Sequence, residues 1–406
     1  MPLSTWVAEV RRHFPSLNLK VNGYPAAFFD GPGGTQVPEA VLEAMRSYFL
    51  EANANTHGAF LTSRRTDAML EEARATVATF LGAHPHEIAF GANMTTLNYA
   101  LSRALGRLLN PGDKILITDM DHEANRGPWL ALAEKGVEVL RAPIRRETVT
   151  LDEEAFWQLL DEKPRVVAVG WASNAVGSIP DLPRLLKKAR EVGAITVVDA
   201  VHYAPHYPID VKELGCDFLL CSAYKFFGPH VGILYGREAI FRELPTYKLR
   251  PQEEAIPYRI ETGTLNHEGI WGTQAAIRWI ASLSGREGSL REQLRAAMEA
   301  IARHEEALFG VLWRELMGMA DIRLYGPGPD ARRTPTLAFT HARYTPAEVA
   351  ARLAEKGLFI WDGDFYATTL VEELGLKEGG GLCRIGLAPY NTMDEVDRLL
   401  QAIREL

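Results

Sequence analysis

The chain has 406 residues, enough for two or three domains at roughly 100 to 200 residues each. Hydrophobic residues make up 47% and charged residues 24%, the balance of a globular protein with a sizeable core, which excludes disorder as the main state. Lys and Arg number 44 against 52 Asp and Glu, a net charge of −8, so the basic excess that nucleic-acid binding needs is missing.

No stretch approaches the roughly 18 consecutive apolar residues of a membrane span, and MPLSTWVAEVRRHF lacks the order of a secretion signal. The expectation is a cytoplasmic protein with no membrane partner. Cys216, Cys221 and Cys383 are an odd set without a C-x-x-C pair, which suggests neither a disulfide framework nor a cysteine zinc site.

From about residue 65 to 240, helical patterns alternate with short β-branched apolar runs, which predicts a mainly parallel sheet covered by helices. The strands read as Lys114 to Thr118, Arg165 to Gly170, Ala194 to Val198, Phe218 to Cys221 and Gly232 to Tyr235. All are nearly continuous apolar runs, as buried strands are. Helical patterns at Arg126 to Lys135, Glu153 to Asp161 and Leu182 to Val192 serve as crossovers, the last stopped by Gly193. A long amphipathic helix over 284 to 316 leads into a second unit. Its elements read as a strand at Thr334 to Thr340, a helix at Thr345 to Lys356, a strand at Leu358 to Trp361, a turn at Gly379 to Gly381, a strand at Cys383 to Ala388 and a closing helix from Met393. That is a small α+β unit.

In open α/β sheets ligands bind beyond the carboxyl ends of the strands. Asp199 ends one apolar run; taken alone it suits a helix N-cap as well as a charged site. Ser222, Ala223, Tyr224 and Lys225 end the next, and a lysine between aromatic residues and glycine is placed for a lowered pKa and Schiff-base chemistry. Together, Lys225 and Asp199 are what pyridoxal 5'-phosphate needs: an amine for its aldehyde and a carboxylate for its pyridine nitrogen. His122, after the first strand, is placed to lie on a planar cofactor or to be a surface histidine. Asn174 is placed to bond a phenolic oxygen or to make an ordinary turn. The run Asn93-Met94-Thr95 opens a helical pattern suited to holding a phosphate.

Several motifs in the same order resemble the class V aminotransferase group of fold-type I PLP enzymes, in its cysteine desulfurase and selenocysteine lyase branch. They run from Phe29-Asp30-Gly31-Pro32-Gly33-Gly34-Thr35 through Asn53-Ala54-Asn55-Thr56-His57 to Arg384 and Pro389-Tyr390-Asn391-Thr392. The resemblance implies an N-terminal arm over 1–25 that packs with the small domain, a large cofactor domain over 26–283 and a small domain over 284–406. It implies that Lys225 binds the cofactor covalently, Ser222 binds its phosphate, Asp199 pairs with the ring nitrogen, His122 stacks on the ring and Asn174 approaches the ring oxygen. Asn93, Met94, Thr95, His202 and Tyr224 complete the cofactor contacts, and Thr264 reaches the phosphate from the neighbouring subunit of a homodimer. Arg384 would grip the carboxylate of an amino-acid substrate, with His57, Gly33 and Tyr366 beside it.

The departures bear on the reaction. Desulfurases of this branch usually carry a cysteine in a Gly-x-x-Cys-Ala loop, whereas here Asp362-Gly363-Asp364-Phe365-Tyr366-Ala367 puts Tyr366 in its place, and a phenol forms no persulfide. His202 stands for a common glutamine, Tyr224 for a histidine and Asn93-Met94 for a threonine pair. Desulfuration, transamination, β-elimination and epimerisation all stay open, as does a sulfur-acceptor protein. The competing readings are weaker. A metal-dependent hydrolase would use His202-x-x-x-His206, but Pro205 interrupts the helix that spacing needs; no metal is expected. No nucleotide-binding motif is present. A non-catalytic scaffold would have no use for Lys225.

Overall fold

The computed structural model describes residues 3–406. Seven strands form the large sheet: β1 (Ile88–Gly91), β2 (Lys114–Thr118), β3 (Glu138–Ala142), β4 (Val166–Gly170), β5 (Ile195–Asp199), β6 (Phe218–Ser222) and β7 (Gly232–Gly236). Their order is β1-β7-β6-β5-β4-β2-β3. The five strands from β6 to β3 run parallel, as expected, while β7 pairs antiparallel with both β6 and β1.

Period-two alternation sends the side chains of each strand to opposite faces. Leu219 and Cys221 pack with Ala73, Val77 and Ile277 on one face, while Phe218 and Leu220 pack with Leu97 and Leu101 on the other. With both faces apolar and covered, the strands show no polar side in sequence. This buried sheet is the platform from which loops project at the carboxyl ends.

The small unit has the antiparallel sheet β8 (Ile322–Tyr325), β9 (Thr336–His341), β10 (Trp361–Gly363) and β11 (Leu382–Gly386), in the order β8-β9-β11-β10. It packs on the helices Leu290–Met317, Pro346–Glu355 and Met393–Arg404 through Leu312, Phe339, Leu353, Ile385 and Leu400. Two elements differ from their sequence reading. The stretch expected as one strand from Leu358 to Trp361 splits: Leu358–Phe359 pairs in parallel with Ala27–Phe28, and Trp361 begins β10. The helix expected over Arg126 to Lys135 is one α-turn at Gly127–Leu130, with Pro128 in its first turn, followed by 3-10 turns that stop at Gly136 with its φ of 77°.

The N-terminal helix Leu3–Arg12 touches both units. Phe14, just after it, packs edge-on against Phe227 and Trp279 of the large core, while Arg11 donates to the Tyr390 carbonyl and pairs with Glu395 at 2.8 Å.

Candidate active site

The carboxyl ends of β1, β2, β4, β5 and β6 open into a cavity of about 550 Å³ lined by Asn93, Thr95, Asp121, His122, Asn174, Asp199, His202, Ser222, Tyr224 and Lys225 among others. It continues outward into a second space of about 660 Å³ walled by the small unit through Trp361, Phe365, Tyr366 and Arg384.

Lys225 ends the 3-10 turn after β6 and donates to the Pro32 carbonyl. Burial, and then the nearby Arg384 charge, bring its amine from the usual lysine range down to about 7, while Asp199 pulls the other way. Asp199 closes β5 and accepts the Val201 N–H at 2.9 Å. Burial, reinforced by Asp121, pushes its carboxyl up to about 7. A buried carboxylate this short of cationic company is matched by a protonated ring nitrogen.

His122 accepts the Ala124 N–H at Nδ1, 3.0 Å away, which leaves the remaining proton on Nε2. Burial, with Lys225 and Arg384 adding repulsion, lowers it to about 4, so the ring is a neutral plane facing the cavity. Beneath it, Asp121 accepts from the Thr118 hydroxyl, the Asn125 amide and the Gly170 N–H. Gly170 is required there: a Cβ would come within 2.8 Å of the Asp121 carboxylate. Asp121 is a site residue that sequence reading passed over, since nothing distinguished it from neighbouring Asp119, which instead pairs with Arg126 and Arg141.

The N-terminus of the helix Met94–Leu105 opens on the cavity, where a phosphate would meet its free N–H groups. Asn93 caps it by accepting the Thr96 N–H at 2.8 Å, and the Ser222 hydroxyl accepts the Met94 N–H at 3.0 Å. Met94 turns its side chain into the core beside Leu97. Gly232 of β7 lets this turn sit close, since a Cβ would fall 2.4 Å from the Asn93 carbonyl carbon. Amine, buried carboxylate, planar neutral imidazole and helix N-terminus therefore fit pyridoxal phosphate.

Arg384, on β11, spends Nη1 on the Asn174 carbonyl at 2.9 Å. Nε is buried without a partner, and Nη2, on the same edge, makes no hydrogen bond among the described residues. That is a vacant bidentate edge for a carboxylate. Gly33 lies under the Trp361 indole, where a Cβ would be 2.2 Å from Nε1. His202 meets the Thr334 and Thr336 hydroxyls of the small unit at 3.0 and 2.9 Å, and His206 pairs with Glu305 at 2.8 Å.

His57 and Thr264 are not brought to Lys225 within one chain. They line a separate cavity with Arg74, Tyr258 and Glu261. The buried Arg74–Glu261 pair, at 2.7 Å, and the Phe90 N–H to Glu261 bond tie the segment leading to Thr264 to β1. Trp361 and Phe365 were also missed in sequence, where loop aromatics carry no periodic signal.

Fold and site together define a PLP-dependent enzyme of fold type I. The chain matches the family described as aminotransferase class-V over residues 27–399, and it belongs to that family. It is 32% identical over 417 aligned residues to a cysteine desulfurase of Pectobacterium carotovorum, covering 98% of each chain. It is 33% identical to a probable cysteine desulfurase of Synechocystis, covering 100% of this chain and 96% of that one. Among solved structures, the cysteine desulfurase of Thermococcus onnurineus superposes with a TM-score of 0.86 at 29% identity, covering 98% and 97%. A cysteine desulfurase of Escherichia coli gives 0.84 at 27%, covering 98% of each.

Proposed function

We propose that the protein acts on a cysteine-like α-amino acid and removes its sulfur to a small external thiol instead of to a cysteine of its own. The observation that carries this is Tyr366, 71% exposed at the mouth of the cavity with its ring 5.6 Å from that of His122, at the position the resemblance gives to a sulfur-accepting cysteine. Cys216, Cys221 and Cys383 are all buried, and burial pushes each thiol far up, away from the thiolate that sulfur transfer needs.

Bound pyridoxal phosphate supplies an aldehyde for the substrate amine and a ring that draws electron density from Cα. The vacant Arg384 edge orients the α-carboxylate. Lys225, with its amine at about 7, takes the proton from Cα and returns one as the product forms. Asp199 would keep a proton on the ring nitrogen, His122 would lie against the ring, and Asn174, His202 and Tyr224 would border it. Asn93, Thr95, Ser222 and the helix N-terminus would hold the phosphate. In balance, one Cβ–S bond breaks, a Cβ–H bond forms, and a thiol RSH becomes RSSH, so L-cysteine yields alanine.

Thr264 and His57 act in this reading across a homodimer, in a cytoplasmic setting. Support for the dimer comes from the exposed Leu42, Phe49, Leu50, Phe60 and Leu61 on either side of the His57 turn. A second reading, β-elimination, is favoured by the lack of an accessible thiol among the described residues. Incubating the loaded protein with L-cysteine and a reductant separates them: sulfide with alanine supports desulfuration, sulfide with pyruvate means elimination, and neither product refutes both.

A further inference from the structure

Phe365, in the loop that follows β10, makes two contacts on the substrate side of the cavity that a third bond links. The Arg384 guanidinium carbon lies 4.1 Å over the Phe365 ring. The Phe365 carbonyl accepts the Asn174 amide N–H at 2.9 Å, and the Asn174 carbonyl in turn accepts Arg384 Nη1 at 2.9 Å. Phe365, Asn174 and Arg384 thus close a ring of contacts through both units. One residue on, the Tyr366 carbonyl accepts the Glu123 N–H at 2.7 Å.

The backbone that permits this is unusual. Phe365 and Tyr366 hold φ of 58° and 56°, two successive bulky residues in the left-handed region. Such a conformation persists only where its surroundings over-determine it. Here the two carbonyls anchored on the large unit do so, and they turn the Phe365 ring inward.

We infer that Phe365 is a positioning residue for the carboxylate grip: it covers one side of the Arg384 guanidinium, so that a carboxylate meets the Nε and Nη2 edge and no other. The inference rests on the proposed amino-acid reading. A cation desolvated against a ring face is held in plane, and Nη1 is already committed to Asn174. Edge-on approach gives two parallel hydrogen bonds to a planar carboxylate and is poorly matched to an amide, which presents one acceptor and a donor. Phe365 accordingly raises discrimination for the free acid without touching the reacting atoms.

The test is an equilibrium titration of the loaded enzyme with L-alanine and, separately, L-alaninamide, following the cofactor absorbance. In the unaltered protein the acid binds more tightly. Phe365→Ala is expected to shrink that preference roughly 30-fold through the acid alone, the size of a desolvated cation–π contact. Phe365→Leu, which fills the space without a ring, is expected to behave like the alanine variant, and Phe365→Trp to keep the preference. An undiminished preference in Phe365→Leu, or equal weakening of acid and amide, overturns the inference. Failure of the underlying reading looks different: the unaltered protein itself then shows no preference for the acid, which removes the grip altogether.

Discussion

The floor of the cavity and the loop that closes it are built in opposite ways. At the floor, Asp199 and Ser222 are side chains at the ends of buried parallel strands and Asp121 lies in the turn just after another, all fixed by a sheet whose two faces are packed. At the rim, Asp364 to Ala367, just after β10, is an irregular segment whose shape depends on Asn174 and Glu123 reaching across from the other unit. In the proposed function the floor carries what every amino-acid reaction on pyridoxal phosphate requires and the rim carries what selects among them, and the rim is held by so few contacts that it can vary without disturbing the sheet.

The comparison is broken most directly at the floor. Lys225→Ala is expected to lower turnover of L-cysteine by roughly a thousand-fold or more, with the cofactor held only by non-covalent contacts, as its absorbance reports. Retained turnover would remove the floor's role. Next in size, Arg384→Lys should raise KM roughly 10- to 100-fold with a smaller effect on kcat, because an ammonium cannot supply the two parallel donors. Steady-state kinetics separates the two constants.

The third expectation concerns pH. A lysine brought down to about 7 is neutral above that pH and protonated below it, and Asp199, raised to about 7, is charged above it. Both changes favour cofactor capture on the same side. The rate at which apoprotein takes up pyridoxal phosphate should therefore fall at least about ten-fold per pH unit below about 7, the slope for the lysine proton alone, with Asp199 steepening it towards about a hundred-fold, and level off above it. An ordinary lysine would keep the rate climbing to about pH 10. The smallest effect belongs to the rim: Tyr366→Cys should leave cofactor binding unchanged and, with L-cysteine, accumulate one extra sulfur atom on the chain, visible by intact-protein mass spectrometry.

How legible each region was follows from the same contrast. The runs KILIT, RVVAVG and FLLC announce buried strands because both their faces are apolar, and the polar residues that follow them mark the floor. Direction is not written in such runs, so nothing in GILY tells that β7 runs against its neighbours. Edge strands were missed for the converse reason: β3, Glu138–Ala142, carries Glu138 and Arg141 on an exposed flank, and Ile322–Tyr325 likewise mixes charge with apolar residues. At the rim, Tyr366 was found through a resemblance, whereas Phe365 beside it was not, because its role arises from φ and from partners distant in sequence. Thr264 and His57 remain expectations tied to a second copy.

Consider the order in which the ribosome delivers these parts. The Trp361 indole donates to the carbonyl of Asp30, 331 residues earlier, and Leu358–Phe359 is the strand partner of Ala27–Phe28. At about 5 to 20 residues per second, those 331 residues take roughly 15 to 65 s to emerge, during which the first strand has no mate. The nascent chain can form the floor while the carboxylate grip is still unsynthesised. Final closure of the site therefore waits until the segment from Leu358 to Arg384 has been made, and chains terminated before it would present a cofactor floor open to water.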